Sequence, residues 1–111
     1  MKTVNLKEGM PSVNQALMQM DRELAAARSK RCDLVKLIHG YGSTGEGGEI
    51  RIAVQKRLLE MSEHGQIRSV IFGENWAKSD ARAWKIVRTQ KELKQDRDLG
   101  KGNRGITIVE L

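Results

Sequence analysis

"LVKLIHGYGSTGEGGEIRIAVQKRLL", residues 34–59, decides the fold. Residues 34–38 are an apolar run with little alternation, which reads as a central strand buried on both faces. Gly40-Tyr41-Gly42-Ser43-Thr44-Gly45 follows, a G-x-G-x-x-G string. Beyond it Ile50, Ala53, Val54, Leu58 and Met61 share one helical face, and Gly65 after His64 suits the left-handed position that ends a helix. A strand, a glycine loop and a helix in that order mark a dinucleotide-binding turn or a more general anion site. Either way, the helix start offers free backbone N–H groups and the positive end of its dipole.

Outward from this unit, Val4 and Leu6 alternate with Asn5 and Lys7, the pattern of a short half-buried strand. A turn at residues 8–11 leads to Ser12 and Gln15, which can cap each other's free N–H groups at a helix start. Val13, Leu17, Met20, Leu24 and Ala27 then recur at helical steps, and the helix ends near Arg28, Lys30 and Arg31, charges that complement its C-terminus. Residues 67–72 read as a third strand and residues 105–111 as a fourth. Strands and helices alternating in this way predict an α/β sandwich with parallel pairings.

Residues 75–104 are different. Nine Lys or Arg (Lys78, Arg82, Lys85, Arg88, Lys91, Lys94, Arg97, Lys101, Arg104) stand against four acids, carrying +5 of the total charge of +6. Ser79 or Asp80 can cap a helix here, with Trp84 and Val87 facing inward. Basic residues at every third position wind around such a helix instead of forming one stripe. The segment reads as a lightly packed, exposed helix that either meets a polyanion or is simply solvated.

The chain of 111 residues fits a single domain, 1–111, with an aliphatic core, since aromatics make up only 4%. Its basic balance favours polyanion partners. One cysteine, Cys32, excludes an internal disulfide framework and fits a reducing compartment. No apolar run reaches membrane-spanning length, and residues 1–8 lack the apolar stretch of a secretory signal, so a cytoplasmic location away from membranes is expected.

The dinucleotide reading meets two difficulties. Glu74, the acid for a ribose, comes about 29 residues after Gly45, where the fingerprint places it near 20. The chain is also short for a dinucleotide domain with a substrate site. No Gly-Lys-Ser/Thr follows the loop, which excludes a phosphate loop of the Walker type. A nucleic-acid phosphate suits the glycine loop as well as a nucleotide does, and Arg51, one turn into the helix, is placed to reach the same anion.

His39-Gly40-Tyr41-Gly42, the glycine run, Ile50-Arg51 with Ala53-Val54, and the terminal Gly102-Asn103-Arg104-Gly105-Ile106-Thr107-Ile108-Val109-Glu110-Leu111 occur in one order. Together they resemble the Smr (small MutS-related) domain, over nearly the whole chain except about residues 75–99, a basic insertion. The resemblance implies an α+β sandwich of order β-α-β-α-β-β. Its mixed four-stranded sheet carries two packed helices, here with an inserted helix before the last strand. It also implies DNA or RNA binding, and endonuclease activity in some members; no cofactor is assigned to this chain, a divalent cation being the candidate only if it is a nuclease. His39, Gly40 and Gly42 match its loop motif, and Gly105 and Thr107 its last strand. Where the family's first strand reads Leu-Asp-Leu-His, a motif tied to nuclease activity, this chain has Val4-Asn5-Leu6-Lys7.

His39 is the one candidate catalytic residue, its alternative role being a hydrogen bond that fixes the glycine loop. Cys32, His39 and His64 lack zinc-ligand spacing, so no metal site is expected. Trp76 and Trp84 read as anchors of the insertion, or as stacking surfaces if exposed. Candidate nucleic-acid contacts are Lys7, His39, Gly40, Tyr41, Gly42, Gly45, Arg51, Lys101 and Arg104. A phosphate-contacting nucleic-acid-binding domain is the leading expectation. A nuclease, a nucleotide-binding module and a ribosome-associated interaction domain are the alternatives, and the oligomeric state stays open.

Overall fold

The computed structural model describes residues 1–42 and 47–111. Their order is β1 (Lys2–Asn5), α1 (Val13–Ser29), β2 (Leu34–Ile38), α2 (Gly47–Glu63), β3 (Ser69–Phe72), α3 (Ala81–Thr89) and β4 (Ile106–Glu110), with 3₁₀ turns at Gly73–Asn75 and Lys91–Gln95. Local chemistry sets the helix ends. The Ser12 side chain accepts from Gln15 N at 3.1 Å while the Gln15 side chain accepts from Ser12 N at 2.8 Å, the reciprocal cap expected of that pair. Asp80 caps α3 through Ala83 N, and Gly65, at φ 71°, follows α2.

The sheet order is β1-β2-β4-β3. β1 and β2 are parallel, with Asn5 opposite Ile38, whereas β4 runs antiparallel to both β2 and β3. The parallel pairing expected from the strand-helix alternation is found at β1–β2, within the mixed four-stranded sheet that the resemblance implies. β4 lies between β2 and β3 and separates them, giving the mixed sheet of an α+β fold.

Alternation along the central strands sends side chains to two layers. Val35, Leu37 and Val109 join Met20, Leu24, Val54 and Leu58 beneath α1 and α2. On the opposite face Leu34, Ile106, Ile108 and Ile71 pack against Trp76, Ala83, Ile86, Val87 and Leu93. The expectation of a lightly packed, exposed insertion is thus corrected: α3 and its flanking turns cover the second face of the sheet. The reason lies in β2 and β4, which are apolar on both sides; each buried aliphatic side chain contributes about 1.5–3 kcal/mol relative to exposure. The segment also approaches the sheet closely. A Cβ on Gly73 would lie 1.8 Å from the Asn103 carbonyl oxygen, so only glycine lets the chain cross there.

Candidate functional site

β2 delivers its last residues to a turn held by a single carbonyl. The amides of His39 and Gly40 both donate to Gly105 O, at 2.9 and 3.1 Å, while Gly105 N donates to Asn103 Oδ1 at 2.8 Å. Gly40 and Gly42 take φ of 73° and 83°, the left-handed region, and place Tyr41 between them. Gly45, with Ser43, Thr44 and Glu46, lies outside the described residues.

His39 is fully buried. Its Nδ1 is 2.5 Å from Gly40 O and its Nε2 is 2.8 Å from Thr107 Oγ1, which also accepts from Gln55 Nε2 at 3.3 Å. One proton arrangement satisfies every atom: Nδ1–H donates to the Gly40 carbonyl, and the Thr107 hydroxyl donates to Nε2. Burial pushes the ring's pKa down, and Arg51 adds to this against the raising effect of the Gly40 carbonyl. A neutral ring with both nitrogens engaged ties β2, β4 and α2 together below the turn. No ring nitrogen is free to meet a phosphate.

Arg51 lies elsewhere, donating to Glu74 at 3.1 Å from partway down α2. The acid that a ribose would need is committed to this ion pair. With β4 between β2 and β3, the sheet also has no crevice between diverging parallel strands for a dinucleotide.

On the side of the sheet facing α3, an open groove of about 520 Å³ runs past β1. Asn5, Lys7, Gly40 and Tyr41 line it together with Arg97 and Asn103. Asn5 and Lys7 are brought beside the turn by the parallel pairing, and the Asn5 side chain accepts from Lys7 N at 3.0 Å and Glu8 N at 3.1 Å. An adjoining cleft of about 430 Å³ is lined by Tyr41, Lys101, Arg104 and their neighbours. Lys7, Arg97, Lys101 and Arg104 are exposed, and none is in an ion pair among the described residues.

The groove floor holds a group that the sequence reading missed. Lys36, buried in mid-strand, donates to Asp96 at 2.6 Å and Asp98 at 2.7 Å. Trp76 Nε1 donates to the other Asp96 oxygen at 2.9 Å, and Asn103 Nδ2 to the other Asp98 oxygen at 2.9 Å. Burial pushes the Asp98 carboxyl up, but hydrogen bonds from Lys36 and Asn103 outweigh it and hold its pKa below the ordinary value. A lysine inside a strand buried on both faces was the available signal, because such a charge demands carboxylate partners.

Trp76 is wholly buried, an anchor as expected. Trp84 is half-buried, with Lys78, Arg88 and Lys94 each 5.9 Å from its ring centroid. Among the described residues no three His, Cys, Asp or Glu side chains gather where they could hold a metal, and no helix is long and apolar enough to cross a membrane.

No protein-family model matches the chain, and no curated protein matches it. Among solved structures it is similar to the crystal structure of the Smr domain of Thermus thermophilus MutS2. The identity is 22% and the TM-score 0.62, over 100% of this chain and 98% of that one. The chain has the fold of that Smr domain.

Proposed function

We propose that this Smr-like domain binds nucleic acid by holding the phosphodiester backbone along the groove and cleft that meet at the Gly40-Tyr41-Gly42 turn. One observation carries the reading: Lys7, just after β1, and Arg97, Lys101 and Arg104, from the segment before β4, line two adjoining depressions with their charges exposed. Cations so arranged meet successive phosphates, and a turn flanked by two glycines lets the backbone come close. The net charge of +6 and the fold itself support the same reading. His39 acts as a positioning residue, shaping the turn from below.

The groove holds phosphate without activating water. Asn5 cannot accept a proton, and Lys7 supplies an exposed cation that can hold phosphate. The carboxylates that line the groove, Asp96 and Asp98, have all four oxygens hydrogen-bonded. A divalent cation, which the nuclease alternative calls for, meets no gathered ligand set among the described residues. The expected behaviour is binding with slow or absent cleavage.

Fluorescence anisotropy over a salt series tests this, on labelled duplex and single strands, with gel analysis of nicking. Log affinity should fall linearly with log salt, by about 0.7–0.9 per phosphate contact. Replacing Lys101 and Arg104 with Gln should flatten the slope by about two contacts on both probes. A flat salt dependence for the wild type overturns the reading.

A further inference from the structure

We propose that Tyr41 is a base-stacking platform, so that the ligand of this site is a single-stranded segment of nucleic acid and not an intact duplex. This rests on the function proposed above and narrows its substrate class.

The aromatic residues of the chain are few, and their placement separates them. Trp76 is buried, Phe72 is half-buried at the end of β3, and three cations surround the ring of Trp84. Tyr41 alone is exposed, at 54% of its surface. Leaving a large ring in water at a turn has no stabilising value for the fold, since that area contributes nothing to burial.

The ring is nevertheless seated. Its Cδ1 lies 3.4 Å from where a Cβ on Gly105 would stand, so the absence of a side chain at Gly105 leaves the seat open. Gly105 is itself fixed on both sides, by the Asn103 side chain at its N–H and by the His39 and Gly40 amides at its carbonyl. The flanking positions 40 and 42 carry no side chains that could cover the ring. A rigid seat matters because a ring already held in place loses little freedom when a base stacks on it.

Position completes the argument. Tyr41 lines both depressions, with Lys7 and Arg97 on one side and Lys101 and Arg104 on the other. A strand crossing from the groove to the cleft passes the ring with cations before and after it. That is the combination a single strand requires, charge along the backbone and a π-face for an unpaired base. Bases within an intact duplex are already stacked on one another and offer the ring no free face.

The experiment compares wild type, Tyr41→Phe, Tyr41→Ala and the Lys101→Gln/Arg104→Gln double variant. Each is measured by anisotropy on a labelled single strand and on a fully paired duplex of the same sequence, in DNA and RNA forms. A 2-aminopurine in the single strand reports stacking directly by quenching. Tyr41→Ala should weaken single-strand binding by about 5- to 150-fold and abolish the quenching, with a much smaller loss on the duplex and an unchanged salt slope. Tyr41→Phe should bind as wild type, because the ring and not the hydroxyl does the work. Equal losses on duplex and single strand, or no loss on the single strand, overturn the stacking inference while leaving phosphate binding intact. Failure of the wild type to bind any probe in a salt-dependent way overturns both. Thermal unfolding of Tyr41→Ala should match wild type, since the side chain lies outside the core.

Discussion

Replacing Lys36 with Met removes one cation from beneath the groove and leaves two carboxylates facing each other. Only 5% of the Lys36 side chain is exposed, with 12% for Asp96 and 13% for Asp98, so solvent screens the group little. Removing one member of a buried ion pair costs about 3–5 kcal/mol, because the remaining charge keeps its desolvation penalty without its partner. That is a large part of the roughly 5–15 kcal/mol that holds a domain together. At a urea slope of about 1.5 kcal/mol per M, the midpoint should fall by about 2–3 M. The pH dependence gives an independent check. Asp98 is held below its ordinary pKa in the folded protein, so its contribution is present above the unfolded value and lost as pH falls through the folded one. Without Lys36, burial acts on the Asp98 carboxyl unopposed by that cation, and the variant regains stability as it takes up a proton. The gap between variant and wild type should therefore be widest near neutral pH and narrow below about pH 4. Urea titrations followed by circular dichroism at several pH values measure both. A midpoint close to wild type, or a gap constant across pH, would refute the view that this triad pins the segment carrying Asp96 and Asp98 to the sheet.

Three further outcomes follow from the geometry around the glycine turn. His39 has its pKa lowered by burial, so between its folded value and about 6.5 the unfolded chain binds more protons; stability should fall as pH drops below about 6.5. Thr107→Val, which strands His39 Nε2 and Gln55, should cost about 1–3 kcal/mol by thermal or urea unfolding and weaken nucleic-acid binding; unchanged stability would show that the ring finds another partner. The double change Asn5→Asp with Lys7→His keeps the acceptor for the turn after β1 and supplies a carboxylate and an imidazole beside Gly40. It should raise nicking of a labelled strand above the wild-type level, and cleavage no faster than wild type would show that these positions do not limit the chemistry.

What the sequence carried openly was local. The Ser12–Gln15 cap, the Asp80 cap and the glycine closing α2 at Gly65 all depend on residues near each other or on one clear period. Residues 75–99 hid their role because their inward side chains, Trp76, Ile86 and Leu93, come from the residue after a 3₁₀ turn, a short helix and a second 3₁₀ turn. No single period links them, and their charged neighbours dominate the pattern. The antiparallel insertion of β4 was equally hidden from strand alternation, since nothing local distinguishes a strand that joins the edge from one that enters the middle. The site divided the same way. Lys7, Gly40, Tyr41, Lys101 and Arg104 do meet at the groove and cleft, whereas His39 lies beneath them and Arg51 is held by Glu74. Arg97, Asn103 and the Lys36 triad reach the site through long-range packing, which a motif reading does not contain.

The position of β4 also governs the order in which this molecule can assemble. Glu110 is opposite both Leu34 and Ser69, so the pairings that complete the sheet join residues from far apart in the chain. Contacts of that kind form late and slowly, because the loops they close must be ordered before the pairing rewards it. Until residues 106–110 enter, β2 has an open edge and β3 has no neighbour, and unpaired edges of that kind invite association between chains. The carbonyl of Gly105, which holds His39 and Gly40, arrives with the same strand. Folding and the shaping of the binding turn therefore share one closing event. A partly folded chain displays adhesive strand edges and lacks the organised Gly40-Tyr41-Gly42 turn, so under the proposed function its affinity for nucleic acid would report how much of a preparation has finished folding.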